Sequence, residues 1–156
     1  MCIRDRYRIL LDTNIILDSI IPNRPQHDEA LALLKWCNGS GDHGFAAATS
    51  FNDAYYILCR AYSEAIAREA LENLLGLVAV APVSAEECDR SLRSNEPDFE
   101  DGLIRACAEL NGADFIITRD KDAFVGSKVK SVTAKEFLFT VDHEDKELMA
   151  ALLDAR

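Results

Sequence analysis

Short apolar runs alternate along the chain with longer stretches in which apolar residues recur every three or four positions. Tyr7 to Leu11 reads as a buried first strand that stops at Asp12. A short helix is expected through Ile15 to Ile20, ended by Pro22. From about Pro25 to Cys37 the residues Ala30, Leu33, Leu34 and Cys37 return at helical spacing, with Gly39 and Gly41 closing the pattern. Phe45 to Ala48 gives a weaker strand signal. Ser50 suits the cap of a helix to about Tyr62, and Ser63 that of another to Leu75, before Gly76.

The second half repeats the alternation. Leu77 to Val83 reads as a third strand, and Ser84 with Glu87 three places on is a capping-box signature. Asp98 opens the helix with the clearest stripe, Leu103, Ala106, Cys107 and Leu110, closed by Asn111-Gly112. Phe115 to Ile117 and Val129 to Val132 read as strands four and five, followed by a helix near Ala134 to Phe139. Strands alternating with helices predict an α/β domain whose mainly parallel sheet of about five strands is covered on both faces. That domain is expected over residues 7–140, after a leader of residues 1–6 to which no role is given. Residues 141–156 form an acidic tail with a helical pattern.

Composition narrows this without redirecting it. The 156 residues, 49% apolar and 28% charged, suit one ordinary globular domain. No apolar run reaches the ~20 residues that span a bilayer, and the opening MCIRDRYR lacks the apolar core of a secretion signal. The five cysteines are odd in number and without a C-x-x-C pair, and three of them sit in helical apolar patterns. A reducing cytoplasm is the expected setting. His27, His43 and His143 stand apart from one another and from cysteine, which argues against structural zinc. The formal net charge of −10 argues against a broad basic surface for nucleic acid. It leaves room for a nuclease whose carboxylates are neutralised by metal.

The acids fall where such chemistry is built. In an open parallel sheet, ligands gather beyond the carboxyl ends of the strands. Asp12 follows the first strand in LLDTN, and Asp120 and Asp122 follow the fourth in FIITRDKDAF. Asp98 and Asp101, three apart, share a face in the first turn of their helix. Capping or turn formation explains each of these alone. It explains less well the crowding of Asp98, Glu100 and Asp101, whose repulsion a cation would relieve. Asp53 is the weakest candidate, because it lies off the stripe Phe51, Ala54, Tyr55, Leu58 and Tyr62.

From about Ile9 to Leu138 the chain resembles the PIN domain, a metal-dependent ribonuclease fold common among VapC-type toxins of bacterial toxin–antitoxin pairs. The resemblance rests on LLDTN, the acid in TSFNDAYYIL, DFEDGLIRACAELNGADFIITRD and the closing KSVTAKEFL, in that order. It implies a three-layer α/β/α sandwich. It also implies that Asp12, Asp53, Asp101 and Asp120 fill the family's four acidic positions, with Asp98 and Asp122 as auxiliary acids of one branch. Many members carry glutamate where this chain has Asp53. Thr13, Asn14 and Thr118 resemble the polar neighbours that position the acids or a water.

The implied cofactor is Mg²⁺ or Mn²⁺, hard cations that favour carboxylate oxygen. Such a centre activates water and stabilises a departing 3′ oxygen, giving 5′-phosphate and 3′-hydroxyl ends. The implied partners are RNA, a second copy in a homodimer and, for a toxin, an antitoxin; no membrane is expected. Arg119, Lys121, Lys128 and Lys130 flank the acidic turn as candidates for holding phosphate, against the plainer reading of a solvated loop. Tyr55, Tyr56 and Tyr62 are expected to pack in the core rather than line a surface. A haloacid-dehalogenase-like phosphatase needs a second aspartate two residues after its nucleophile, and Asn14 occupies that place. An RNA-processing PIN nuclease, or a PIN module that only binds, is the alternative to a toxin.

Overall fold

The computed structural model describes residues 6–38, 43–96 and 98–155. Five short strands form one sheet: β1 (Ile9–Leu11), β2 (Gly44–Ala47), β3 (Ala79–Ala81), β4 (Phe115–Ile117) and β5 (Lys130–Val132). Their order is β3-β2-β1-β4-β5, and every neighbouring pair is parallel. The first strand made therefore lies in the middle. The order reverses between β1 and β4, the place where an open α/β sheet leaves a crevice.

Among the described residues seven α-helices cover the sheet: α1 (Thr13–Ile20), α2 (His27–Cys37), α3 (Ala48–Ala61), α4 (Glu64–Leu75), α5 (Ala85–Arg93), α6 (Phe99–Leu110) and α7 (Ala134–Asp154). Side chains alternate across a strand, so each strand feeds two cores. Ile9, Leu11, Ala46, Ile117 and Val132 pack with α1, α2, α3, α4 and α7 on one face. Leu10, Phe45, Ala47, Ala81 and Ile116 pack on the other face with Ile104, Cys107 and Ala108 of α6. Helix α5 lies against α6. The α/β/α sandwich expected from the sequence is the fold.

Several local expectations hold. Ser63 caps α4 by accepting from the Ile66 amide, and Ser84 with Glu87 closes a capping box on α5. Cys37 and Cys107 are buried among apolar side chains, and burial pushes their thiols up to about 12 and about 11. Gly39 and Gly41 lie outside the described residues, as do residues 1–5 of the leader.

Others need correction. The helix assigned to a Ser50 cap begins at Ala48, directly after β2. Ser50 is a fully buried side chain in its first turn, held by another partner. Tyr56 and Tyr62 are exposed rather than packed, because Ala54 and Leu58 supply the buried side of α3. The last helix does not stop near Phe139: α7 runs unbroken to Asp154 behind a Thr133–Glu136 capping box. The Tyr7 hydroxyl donates to Glu144 at 2.7 Å, and Val141 is buried, so part of the acidic segment packs on the domain.

Candidate active site

Asp12 is both a helix cap and a member of the crevice. β1 ends on the Asp12 amide, which donates to the Ile117 carbonyl at 3.0 Å and extends the ladder to β4. The Asp12 side chain turns into the first turn of α1. Its Oδ1 accepts from the Thr13 amide at 2.8 Å, and its Oδ2 accepts from the Thr118 hydroxyl at 2.9 Å. Both oxygens are oriented by the protein and keep a further lone pair each. Burial raises the Asp12 pKa, against the lowering effect of these two donors, and the nearby Asp120 charge adds to the rise.

Thr13 and Thr118 fix the neighbouring pieces. The buried Thr13 hydroxyl donates to Ser50 Oγ at 2.9 Å, tying α1 to α3. Asp53 stands three residues after Ser50 on that helix, and the tie sets its place beside the crevice. Thr118 is fully buried, and its hydroxyl also accepts from the Asp120 amide at 3.0 Å. One hydroxyl therefore joins the carboxylate after β1 to the turn after β4.

Helix α6 brings the acids of the second half. Asp98 is its N-cap and accepts from the Glu100 amide at 2.8 Å. Gly102, one residue past Asp101, lets α6 approach α5: an added Cβ would collide with Ser91 Oγ and stand 3.2 Å from Ser91 Cα. The contact seats the first turn of α6 at the rim of the crevice. The cleft, about 510 Å³, is lined by Asp12, Thr13, Asn14, Asp53, Asp98, Glu100, Asp101 and Asp120, with Leu17, Tyr56 and Ile57 as its apolar wall.

Crowding of like charge is visible in the carboxyls themselves. Burial and the charges of Asp12, Asp98, Asp120 and Glu96 push Asp101 up to about 6. Burial, then the charge of Asp53 and a hydrogen bond with it, push Glu100 up to about 7. Among the described residues, no three His, Cys, Asp or Glu side chains are already drawn together as a metal site. The donor chemistry nevertheless fits a hard divalent cation: the groups facing the cleft are carboxylates, hydroxyls and one side-chain amide. A cation there would also offset the repulsion that raises these carboxyls.

Of the residues singled out in the sequence, Asp12, Asp53, Asp98, Asp101, Asp120, Thr13 and Asn14 line this cleft, and Thr118 bonds Asp12 from behind it. Asp122 does not join them. It sits exposed in a 3₁₀ turn, Lys121–Phe124, and faces grooves beside Val125 instead. Arg119 is committed to Asp18, with Nε 3.3 Å from Oδ2, and Lys121 pairs with Glu136 at 2.7 Å. Lys128 and Lys130 are exposed along the next groove.

Two participants were not singled out. Glu100 entered the sequence reading only through its crowding with Asp98 and Asp101, yet it lines the cleft beside Asp53. Asp18 is fully buried in α1 between Arg24 Nη1 at 3.1 Å and Arg119. Its signal was an aspartate inside the otherwise apolar stretch IILDSI, six residues before an arginine.

The model of the PIN domain family matches residues 8–122, and the chain belongs to that family. No curated protein matches it. Among solved structures, Mycobacterium tuberculosis VapC20, described as a sarcin–ricin-loop-cleaving toxin, superposes with a TM-score of 0.63 at 18% identity, covering 76% of this chain and 94% of that one. A toxin–antitoxin complex from Klebsiella pneumoniae is similar at 25% identity and a TM-score of 0.60, over 81% of this chain and 97% of that one. FitAcB from Neisseria gonorrhoeae, at 21% identity, has a TM-score of 0.59 over the same two shares. Among the described residues no helix is long and apolar enough to cross a membrane.

Proposed function

We propose that this chain is a divalent-metal-dependent endoribonuclease, the toxin of a toxin–antitoxin pair. The observation that carries the reading is the convergence of carboxylates from four separated segments, Asp12, Asp53, Asp98 to Asp101 and Asp120, on one cleft of a PIN fold. Mg²⁺ or Mn²⁺ bound there would supply Lewis acidity to water and to the scissile phosphate. Asp12, Asp101 and Asp120 are assigned as its principal holders, with Asp98 beside them. Asp53 and Glu100 line the same cleft, joined to each other by a hydrogen bond. Thr13 and Thr118 hold the Asp12 carboxylate so that little reorganisation is needed when substrate arrives.

The similarity to a toxin–antitoxin complex supports an antitoxin as partner; a homodimer as working form is part of the same proposal and rests on the resemblance to the family alone. A cytoplasmic setting follows from the same reading, because RNA is the substrate. Purified protein should cut RNA only with added divalent metal and leave 5′-phosphate and 3′-hydroxyl ends. Asp12→Asn, Asp101→Asn and Asp120→Asn should each lower the rate by orders of magnitude, and Asp122→Asn by far less. Ends carrying 2′,3′-cyclic phosphate would show attack by the RNA's own 2′-hydroxyl and defeat the proposal. Expressed alone in bacteria, the wild type should slow growth and Asp12→Asn should relieve it; matching growth curves at equal expression would remove the toxin assignment.

A further inference from the structure

Four of the chain's six lysines fall between positions 121 and 135, in a protein of net charge −10. Three of them, Lys121, Lys130 and Lys135, line a single cavity of about 560 Å³ between the edge strand β5 and α7. Ser131 and Thr140 add hydroxyls to its wall, and Glu136 is the one acid there. Phe139 closes one side with 71% of its surface exposed. It lies two residues from the buried Phe137 and therefore on the opposite side of α7, where the fold has no use for an aromatic ring. The His143 ring lies parallel behind it, at 5° and 6.1 Å between centroids.

Lysines on an edge strand can serve only to prevent sheet-to-sheet association. That accounts for Lys130. It does not account for Lys135 on a helix, Lys121 in the preceding turn, or a ring held out to solvent beside them. Cations around an exposed aromatic face are the elements that hold single-stranded nucleic acid, charge for phosphate and ring for base. The cavity also adjoins the acidic cleft: Lys121 directly follows Asp120, which lines that cleft.

We infer that the β5–α7 cavity is a nucleotide subsite for single-stranded RNA, with Lys121, Lys130 and Lys135 on phosphate and Phe139 stacked on a base. The inference rests on the ribonuclease reading and extends it to how the strand is held beside the cleft. Lys121 now pairs with Glu136, an exposed ion pair of the kind that yields readily to a phosphate. Asp120 of the acidic cleft and Lys121 of this cavity are consecutive residues, so one RNA strand can engage both. Duplex RNA fits poorly, since its bases are already stacked.

The test is fluorescence anisotropy of a short labelled single-stranded RNA with the full chain in EDTA, so that binding is read without cleavage. Phe139→Ala should weaken binding roughly tenfold with an unchanged salt slope, and Phe139→Trp should restore it. Lys130→Gln with Lys135→Gln should weaken binding and reduce the slope of log affinity against log salt by about 1.4, at about 0.7 per phosphate contact. All three side chains are exposed, and thermal melts will confirm that the variants fold. Unchanged affinity in Phe139→Ala overturns the subsite. So does equal sensitivity of duplex RNA to that change. Displacement of the RNA by a polyglutamate peptide as effectively as by unlabelled RNA also overturns it, and assigns the patch to an acidic protein partner. Loss of cleavage activity with these binding effects intact would instead remove the nuclease reading and leave the subsite standing.

Discussion

Arg119 Nε lies 3.3 Å from Oδ2 of Asp18, a carboxylate with 0% exposure. The pair joins the turn after β4 to the body of α1, on either side of the crevice. Arg24 approaches the other Asp18 oxygen at 3.1 Å, so the buried charge has two cationic partners. Arg119, a candidate for holding phosphate in the sequence, thus also braces the turn that carries Asp120.

Removing that brace should cost stability before it costs RNA affinity. Arg119→Met leaves Asp18 Oδ2 without its ion pair and should lower the unfolding free energy by about 1–3 kcal/mol. Lys128→Met, an exposed change, should stay within about 0.5 kcal/mol. Urea denaturation of both variants is the measurement. Equal midpoints for Arg119→Met and wild type would show that the pair contributes nothing.

Metal should act as a stabilising ligand of the folded state. Saturating Mn²⁺ at about a hundred times its dissociation constant corresponds to about 2.7 kcal/mol. The thermal midpoint should therefore rise with metal relative to EDTA, and the rise should vanish in Asp12→Asn with Asp101→Asn. An equal rise in the double variant would place the metal elsewhere.

The metal-free protein should lose stability as pH rises. Asp101 is pushed up to about 6 and Glu100 to about 7, first by burial and then by neighbouring acids. Each holds its proton more tightly folded than unfolded. Its contribution is therefore fully present below the ordinary carboxylate range and lost as pH passes through the raised value. Denaturation midpoints in EDTA should fall between about pH 4.5 and pH 7, and Glu100→Gln or Asp101→Asn should flatten the decline. A steeper decline in either variant would contradict the assigned crowding.

Gly102 should not tolerate a methyl group. Alanine gains about 1 kcal/mol of helix propensity over glycine. Overpacking against Ser91, whose Cα would stand 3.2 Å away, costs about 1–3 kcal/mol. Gly102→Ala should thus be destabilised overall, and its displaced α6 should reduce the midpoint shift given by Mn²⁺. A more stable variant with an undiminished metal response would show that α5 can yield at no cost to the cleft.

Much of this architecture is legible in the residue pattern, because strand runs such as YRILL and DFIIT are short, apolar and bounded by polar turns. Asp12 is legible twice over, as a cap and as a crevice acid, and it proves to be both. What the pattern conceals is partnership across the chain. Ser50 looks like a cap because serine commonly is one, but Thr13 claims it in the interior. Tyr56 and Ile57 share the apolar character of a core stripe and instead wall the cleft, since α3 already buries Ala54 and Leu58. Asp122 has the same local context as Asp120, and only the 3₁₀ turn sends it away. Arg119 could not be distinguished from a solvated cation without its buried counter-ion at Asp18.

Placing the first strand in the middle of the sheet has a consequence for a chain still being synthesised. Asp12 emerges from the ribosome early, but the Thr118 hydroxyl that orients it comes 106 residues later. β2 and β3 can pair beside β1 in the meantime, and still the other half of the crevice does not exist. A nascent chain therefore carries the first acids next to abundant ribosomal RNA with no assembled cleft. The acidic cleft is therefore complete only when nearly the whole domain has been made.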